Sequence, residues 1–192
     1  MQIDETRKKI LKVASQIFGK YGFQKTTIDE IAKTAHKAKG SVYYYFNSKE
    51  DLFKAVVEEE ISVIRSGLTR ILMENVDATI MMRNYLLKRM YLLIDAVNYH
   101  ETLKAEFIEG YGFMQESRDA FFKFETELLK AILDKGVRDQ KFEIRDTFAT
   151  ASVIMMAMKA IEVPFYLQKK IGQFEQTIVE LLDILIKGLG KA

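Results

Sequence analysis

The chain has 192 residues, no cysteine and a formal net charge of +2. This length allows one or two domains with a substantial hydrophobic core, and the absence of thiols excludes a disulfide framework or a thiolate metal site. A single proline, Pro164, and a strong 3.6-residue apolar period predict an all-α chain of about nine helices. No apolar run reaches the ~18 residues of a membrane span, and the first residues show no signal sequence, so we expect a cytoplasmic protein.

The charge is distributed unevenly along the chain. Residues 1–54 hold 11 Lys/Arg and 6 Asp/Glu, whereas the remaining residues hold 18 and 21. A basic head on a mildly acidic remainder is typical of a protein that binds phosphate groups through one end. We therefore divide the chain into an N-terminal domain, 1–54, and a C-terminal helical domain, 55–192.

The first predicted helix runs from Glu5 to Lys20 and is stopped by Gly22. Its apolar stripe, from Ile10 to Tyr21, recurs at three- and four-residue steps. The opposite face carries basic residues that we interpret as solvated.

Two short helices are predicted next, over Ile28–Ala35 and Lys39–Phe46, joined by a tight turn. Thr27 precedes the first of them with Glu30 three residues on, which is the spacing of a capping box. Ser48 and Asp51 mark the start of a third helix in the same way. Two short helices joined by a three-residue turn are typical of the helix-turn-helix, whose second helix enters the major groove of DNA.

The second short helix has an apolar side and an outward side. Val42 and Phe46 lie one turn apart and predict its anchor in the core. Its length of ~12 Å matches the width of the major groove. The alternative is a small buried helix with an aromatic cluster, but three adjacent tyrosines cannot all face inward. The candidate DNA contacts are Thr27, Lys37, Lys39, Gly40, Ser41, Tyr43, Tyr44, Tyr45 and Lys49.

The remaining pattern predicts a series of longer helices. Three consecutive glutamates, Glu58 to Glu60, are interpreted as a solvated run. The predicted helices are Lys49–Met73, Ala78–Tyr99, Glu101–Ile108, Met114–Lys135 closed by Gly136, Arg145–Glu162 and Gln173–Leu189.

The helix over Arg145–Glu162 is apolar nearly all round, so both of its sides must be covered. We predict that it forms a two-fold homodimer interface with the last helix; the alternative is an internal helix of a monomer. A dimer would place two recognition helices ~34–36 Å apart to read a palindromic operator. The candidate interface residues are Phe148, Ser152, Met155, Lys159, Phe174, Ile178, Leu181 and Leu185.

The segments ILKVASQIFGKYGFQKTTIDEIA, AKGSVYYYF and NSKEDLF resemble, in sequence and spacing, the N-terminal domain of the tetracycline-repressor (TetR) family of bacterial transcription regulators. The resemblance covers residues 10–54. The turn departs from the family pattern, because His36, Lys37 and Ala38 replace glycine, an apolar residue and serine or threonine. Histidine tolerates a positive φ, but Ala38 cannot supply a side-chain cap.

The resemblance implies a ligand cavity in the C-terminal domain, whose occupation releases the protein from DNA. Flexible methionines and aromatic rings suit such a cavity. The charged residues Arg89, Asp95, Glu106, Glu109 and Glu162 are expected at the surface. The candidate pocket residues are Met90, Tyr91, Phe107, Tyr111, Phe113, Met114, Phe121, Phe122, Met155, Met158, Phe165 and Tyr166.

The sequence shows no enzyme motif, no cofactor loop and no set of metal ligands. The favoured hypothesis is a ligand-responsive, dimeric transcriptional repressor with a palindromic DNA operator and a small, largely apolar effector. A DNA-binding regulator without a small-molecule effector and a helical protein-interaction module remain open as alternatives.

Overall fold

The computed structural model describes the backbone of residues 2–103, 111–162, 166 and 171–189, and the side chains of 5–103, 111–162, 166 and 179–189. Within those ranges the chain forms nine α-helices and no β-strand, which confirms the predicted all-α fold. Short 3₁₀ turns cover Arg70–Met73 and Gly112–Met114. The helices are α1 (Gln2–Tyr21), α2 (Ile28–Thr34), α3 (Lys39–Tyr45), α4 (Lys49–Thr69), α5 (Ala78–Ile94), α6 (Val97–Leu103), α7 (Gln115–Arg138), α8 (Thr147–Glu162) and α9 (Ile171–Leu189).

The predicted helix over Ala78–Tyr99 is wrong at its C-terminal end. Helix α5 ends at Ile94, and α6 begins at Val97. The carboxylate of Glu60 accepts the backbone N–H groups of Asn98 and Tyr99, at 3.2 and 2.8 Å. Because another helix binds these first-turn amides, they need no partner from a continuing α5.

Gly136 does not close α7 as predicted, since the helix continues to Arg138. The chain reverses instead at Gln140, which has φ of 55°. The N–H of Lys141 donates to the Gly136 carbonyl at 2.8 Å, and that of Gln140 to the Val137 carbonyl at 3.1 Å, as in a Schellman motif. A Cβ on Gly136 would lie 2.0 Å from the Phe142 ring, so the glycine leaves the space that this ring occupies.

The chain divides into two compact units. The head unit comprises Met1–Ser62 and Ala96–Gln115, and the body unit comprises Val63–Asp95 and Glu116–Ala192. Helix α6 therefore belongs to the head unit, although the chain on either side of its segment belongs to the body unit. The functional division into 1–54 and 55–192 stays a prediction.

Aromatic rings fill the core of the head unit. Phe18 and Phe53 meet edge to face, with ring centroids 5.1 Å apart, and Phe23 lies 4.9 Å from Phe53. The rings of Tyr111 and Phe113, from the later segment of this unit, are tilted against Phe23 with centroids 5.6 and 5.4 Å away. Such pairs contribute about 0.5–1.5 kcal/mol each beyond their buried area, so the cluster holds α1, α4 and the later segment together.

The core of the body unit is aliphatic and methionine-rich. Its buried side chains come from α5, α7 and α8 and include Met82, Tyr85 and Leu86, then Phe121, Leu129 and Ile132, and finally Ile154, Met155 and Met158. Pro164, Phe107 and Phe165 lie outside the described residues. No helix in the described part of the chain is long and apolar enough to span a membrane.

Candidate nucleic-acid interface

Helix α2 has the predicted capping box at its start. The Glu30 N–H donates to Thr27 Oγ1 at 3.3 Å, and the Thr27 N–H donates to Glu30 Oε2 at 2.9 Å. The Thr27 N–H and hydroxyl both donate to the Glu30 carboxylate, and these two hydrogen bonds lower its pKa. Thr27, a candidate DNA contact, is exposed and also fixes where α2 begins.

The turn between α2 and α3 is held by backbone hydrogen bonds. His36 has φ of 53°, the positive value that histidine was expected to tolerate. Its N–H donates to the Lys33 carbonyl at 3.1 Å, and the Lys37 N–H to the Ala32 carbonyl at 2.9 Å. Ala38 precedes α3 without a side-chain hydrogen bond, as predicted for this departure from the family pattern.

Helix α3 is anchored from behind by Val42 and Phe46. The exposed fractions of their side chains are 0% and 5%, which confirms the predicted core face. The guanidinium of Arg7 lies over the Phe46 ring, 5.2 Å from its centroid. With α2 also packed against it, α3 cannot rotate without exposing these groups.

The opposite side of α3 is open. Tyr44 is 73% exposed, Tyr43 is 45% exposed, and a Cβ built on Gly40 would have no atom within 4 Å. Ser41 and Tyr45 are half-buried on its flanks. The ring of Tyr45 meets that of Tyr44 edge to face at 4.9 Å. The structure thus brings six of the nine candidate contacts, Lys39 to Ser41 and Tyr43 to Tyr45, onto one short helix.

The three candidate lysines have different neighbours. Lys39 Nζ forms an exposed ion pair with Asp29 at 2.9 Å, which raises the pKa of Lys39. Lys37 Nζ donates to Thr6 Oγ1 at 3.3 Å. Lys49 Nζ donates to the carbonyls of Phe23 and Thr26, at 3.0 and 3.1 Å. Its contacts give Lys49 a structural role in the loop between α1 and α2.

A polar network that the sequence analysis missed ties α6 to α1 and α4. Asn98 Nδ2 donates to Glu60 Oε1 at 2.7 Å and to the Ser15 carbonyl at 3.2 Å. The prediction of a solvated run at Glu58 to Glu60 is therefore wrong for Glu60, whereas Glu58 and Glu59 are exposed. Burial raises the pKa of Glu60, while the hydrogen bonds from Asn98 and Tyr99 oppose the shift.

The body unit contains a buried ion cluster. Arg89 Nε donates to Glu125 Oε1 at 2.6 Å, and its Nη2 donates to Glu125 Oε2 at 3.1 Å and to Glu162. All three side chains are 2% exposed, so the expected surface position of Arg89 and Glu162 is wrong. The paired charges are what makes this burial tolerable. Burial raises the pKa of Glu125, although the adjacent Arg89 opposes this shift.

The candidate pocket residues are divided between the two units. Tyr111, Phe113 and Met114 belong to the head unit, where the two rings join its aromatic cluster. In the body unit Tyr91 is exposed and Phe122 is half-buried, with Lys159 Nζ 5.5 Å above its ring. The other described body-unit candidates are buried: Met90, Phe121, Met155, Met158 and Tyr166.

The candidate dimer residues lie on α8 and α9. Phe148 is exposed, Ser152 and Lys159 are half-buried, and Met155 is buried within its own unit. Leu181 and Leu185 are half-buried, whereas the side chains of Phe174 and Ile178 lie outside the described residues. An apolar groove runs between the two helices, lined by Ala149, Thr150, Val153, Ile154, Ile184, Leu185, Gly188 and Leu189.

The sequence of the chain is similar to those of known proteins. Residues 10–56 match the family described as bacterial regulatory proteins, tetR family. The HTH-type transcriptional regulator QacR of Staphylococcus aureus is 26% identical over 187 residues, which cover 95% of this chain and 97% of QacR. The HTH-type transcriptional repressor NicS of Pseudomonas putida is 46% identical over 57 residues, which cover 30% and 27% of the two chains.

Solved structures extend the likeness over the whole chain. A transcriptional regulator from Cytophaga hutchinsonii superposes with a TM-score of 0.79 at 23% identity and covers 95% of this chain and 97% of its own. The regulator FadR from Bacillus subtilis, in complex with stearoyl-CoA, gives 0.75 at 18% identity, with 94% and 98% covered. The match to residues 10–56, together with the anchored helix α3, places the N-terminal domain of this chain in the tetR family of bacterial regulatory proteins, and the likeness to QacR extends over 95% of the chain.

Proposed function

We propose that this chain is a ligand-responsive transcriptional repressor that binds a palindromic operator as a homodimer and is released by a small, largely apolar effector. The observation that carries the proposal is the outward side of α3. Its backbone is open at Gly40 and its most exposed ring is Tyr44, while Val42 and Phe46 fix the helix from behind.

The composition around α3 supports contact with DNA. Lysine ammonium groups and tyrosine hydroxyls hold phosphates, which set the position of a protein on the duplex. The ion pair between Lys39 and Asp29 is exposed on both sides, and such solvent-screened pairs contribute little to stability. A phosphate can therefore replace Asp29 as the partner of Lys39 at little cost.

Binding to the intergenic DNA beside the protein's own gene tests the DNA-binding part of the proposal. We expect sequence-specific binding at an inverted repeat, measured by fluorescence anisotropy, with an affinity that falls steeply as salt is raised. Tyr44→Ala should weaken this binding at least tenfold without changing the thermal unfolding midpoint. Tyr21→Ala, which removes an exposed tyrosine at the end of α1, is the matched control and should bind normally. Unchanged affinity in Tyr44→Ala would contradict the assignment of α3.

The dimer is supported by apolar side chains on the last two helices. Val153 and Ile184 are each 60% exposed, Phe148 and Met156 are also exposed, and the groove between α8 and α9 is almost entirely apolar. Large exposed apolar patches on soluble proteins often mark protein–protein interfaces. A second copy related by a two-fold axis would cover the same surface on both chains.

The effector is supported by analogy and by composition. FadR is solved with stearoyl-CoA, a ligand with a long apolar chain. The body unit buries five of the candidate residues with flexible or aromatic side chains, which are Met90, Phe121, Met155, Met158 and Tyr166. We expect an apolar effector to raise the thermal unfolding midpoint and to lower operator affinity in the same preparation. Operator binding that no screened ligand alters would indicate a regulator without a small-molecule effector.

A further inference from the structure

The outward side of α3 lacks the side chains that most proteins use to read bases. Its sequence, KGSVYYY, contains no Arg, Asn, Gln, Asp or Glu. Arginine reads guanine by paired hydrogen bonds, Asn and Gln read adenine, and carboxylates accept from cytosine. The half-buried hydroxyl of Ser41 bonds to several bases without distinguishing them well.

The one cationic residue of α3, Lys39, is not positioned to take the place of these base-reading side chains. Lys39 is the first residue of the helix, and its ammonium is 2.9 Å from the carboxylate of Asp29 on α2. This lysine lies at the helix end, and its exposed carboxylate partner can be replaced by another anion. It is therefore suited to bind a phosphate at the edge of the groove. The centre of α3 therefore meets the base pairs without a charged side chain.

What the centre of α3 offers is a smooth apolar surface. Gly40 and Tyr44 are four residues apart, so they share one face of the helix. Nothing lies within 4 Å of a Cβ at Gly40, and Tyr44 is 73% exposed. The half-buried Tyr45 meets the Tyr44 ring edge to face at 4.9 Å and an interplanar angle of 89°, which limits how far that ring can swing.

Only one group at the base edges of the major groove is apolar, the 5-methyl of thymine. We propose that α3 reads each half-site mainly through thymine 5-methyl groups packed against the Tyr44 ring and the open backbone at Gly40, with Tyr45 positioning that ring. The base pairs under the centre of α3 are accordingly A·T. This inference rests on the proposed operator binding and names the chemistry by which the operator is chosen.

Replacing thymine by deoxyuridine tests the inference, because it removes the methyl group and keeps every hydrogen-bonding group of the base pair. An operator is first selected from duplexes with randomised half-sites, and each thymine is then replaced singly. We expect the affinity to fall about fourfold for each contacted thymine, the equivalent of one buried methyl group. Replacing guanines of the same operator by 7-deazaguanine, which removes an acceptor, should leave the affinity unchanged.

Two variants locate the methyl contact on the protein. At the thymines that pack against the Tyr44 ring, Tyr44→Ser should bind the thymine and deoxyuridine operators equally, since the ring that contacts their methyl groups is gone. Tyr43→Ser, the matched control on the neighbouring position, should keep the fourfold difference. A difference that persists in Tyr44→Ser overturns the assignment of Tyr44.

The outcomes separate this inference from the proposed function. If no sequence is enriched from the randomised duplexes, the proposed operator binding itself fails. If a sequence is enriched but its affinity depends on guanine N7 and not on thymine methyl groups, the protein is a DNA-binding regulator and the methyl readout is wrong. Enrichment of A·T pairs with a deoxyuridine penalty that requires Tyr44 is the expected result.

Discussion

The lysines of the head unit differ in what their ammonium groups bind. Lys39 is paired with an exposed carboxylate, whereas Lys49 donates to two loop carbonyls and lies 4.4 Å from the centre of the Phe23 ring. The first pairing is exchangeable with a phosphate. The second satisfies backbone acceptors of a part-buried loop, so its loss leaves them without a donor.

This difference predicts opposite results for two substitutions. Lys39→Ala should reduce the slope of log affinity against log salt by about one, because one phosphate contact is lost, with little change in stability. Lys49→Met should leave the salt slope unchanged and lower the free energy of unfolding by about 1–3 kcal/mol. Operator titrations at several salt concentrations and urea unfolding measure the two quantities. A reduced salt slope in Lys49→Met would show that Lys49 contacts a DNA phosphate.

Gly136 gives a second prediction for a single residue. The space that a Cβ would occupy is filled by the Phe142 ring, so Gly136→Ala must displace the ring or the helix. We expect a loss of about 1–3 kcal/mol in the free energy of unfolding, the usual cost of overpacking. Gly112→Ala is the matched control, since a Cβ there meets nothing within 4 Å. Equal stability of the two variants would show that the core next to Phe142 relaxes freely.

Among the elements, α6 has two of its first-turn N–H groups bound by a single side chain of another helix, Glu60. Both carboxylate oxygens of Glu60 are used, Oε1 by Asn98 and Oε2 by the Tyr99 N–H. The same Asn98 side chain reaches the Ser15 carbonyl on α1. Glu60 therefore fixes α6 to α4, while Asn98 links α6 to α1.

Substitution of Glu60 should reveal this role through its pH dependence. In Glu60→Gln the amide NH₂ replaces one carboxylate oxygen, so a donor faces a backbone N–H of α6. We expect this substitution to lower the free energy of unfolding by about 1–3 kcal/mol at pH 7. Burial raises the pKa of Glu60 in the folded state, so the folded protein binds a proton more readily than the unfolded chain. The stability contributed by Glu60 then increases as the pH falls towards the unfolded pKa of ~4.3 and is lost as the pH rises through the folded pKa.

Urea unfolding at pH 7 and pH 5 measures the effect. The stability difference between the wild type and Glu60→Gln should be larger at pH 5 than at pH 7. Glu59→Gln, on the exposed neighbouring position, should differ from the wild type by the same small amount at both values. A difference for Glu60→Gln that does not change with pH would show that its carboxyl titrates normally.

The helix break at Asp95 shows where local patterns stop being informative. The apolar period runs on through Val97 and Tyr99, and no glycine or proline interrupts it. What ends α5 is the hydrogen bonding of the next helix to Glu60, a residue 38 positions away from Asn98. The helix-turn-helix, in contrast, was predicted to within one residue at its helix ends, because its caps and turn are local. Local sequence patterns also do not reveal buried charges. Arg89 and Glu162 can be recognised as core residues only when the tertiary contact of Arg89 with Glu125 is known.

At the scale of the whole molecule, two of the candidate pocket residues lie in a different unit from the one expected. Tyr111 and Phe113 were grouped with the body-unit residues as walls of one cavity, yet their rings complete the aromatic cluster around Phe23 and Phe53. Periodicity identifies which residues avoid water. It contains no information on which of two compact units a short segment joins, because that depends on tertiary contacts.

The exposed apolar surface of α8 and α9 leads to the last prediction, on assembly. Val153→Glu with Ile184→Glu places two charges where we propose that the second copy packs, and both positions are now 60% exposed. A charge buried without a partner in an interface costs several kcal/mol, whereas the same charge in water costs nothing, so the variant should sediment as a monomer. Met73→Glu, at a side chain that is 81% exposed outside these helices, should remain a dimer.

The same pair of substitutions connects assembly with DNA binding. A dimer places both recognition helices on the operator in one event, so the second half-site is bound at a high effective concentration. The double variant should therefore bind the full operator no more tightly than a single half-site, while the wild type prefers the full operator by at least a hundredfold. Far-UV circular dichroism verifies that the variant is folded. A folded double variant that still sediments as a dimer would exclude α8 and α9 as the interface and would direct attention to another surface of the body unit.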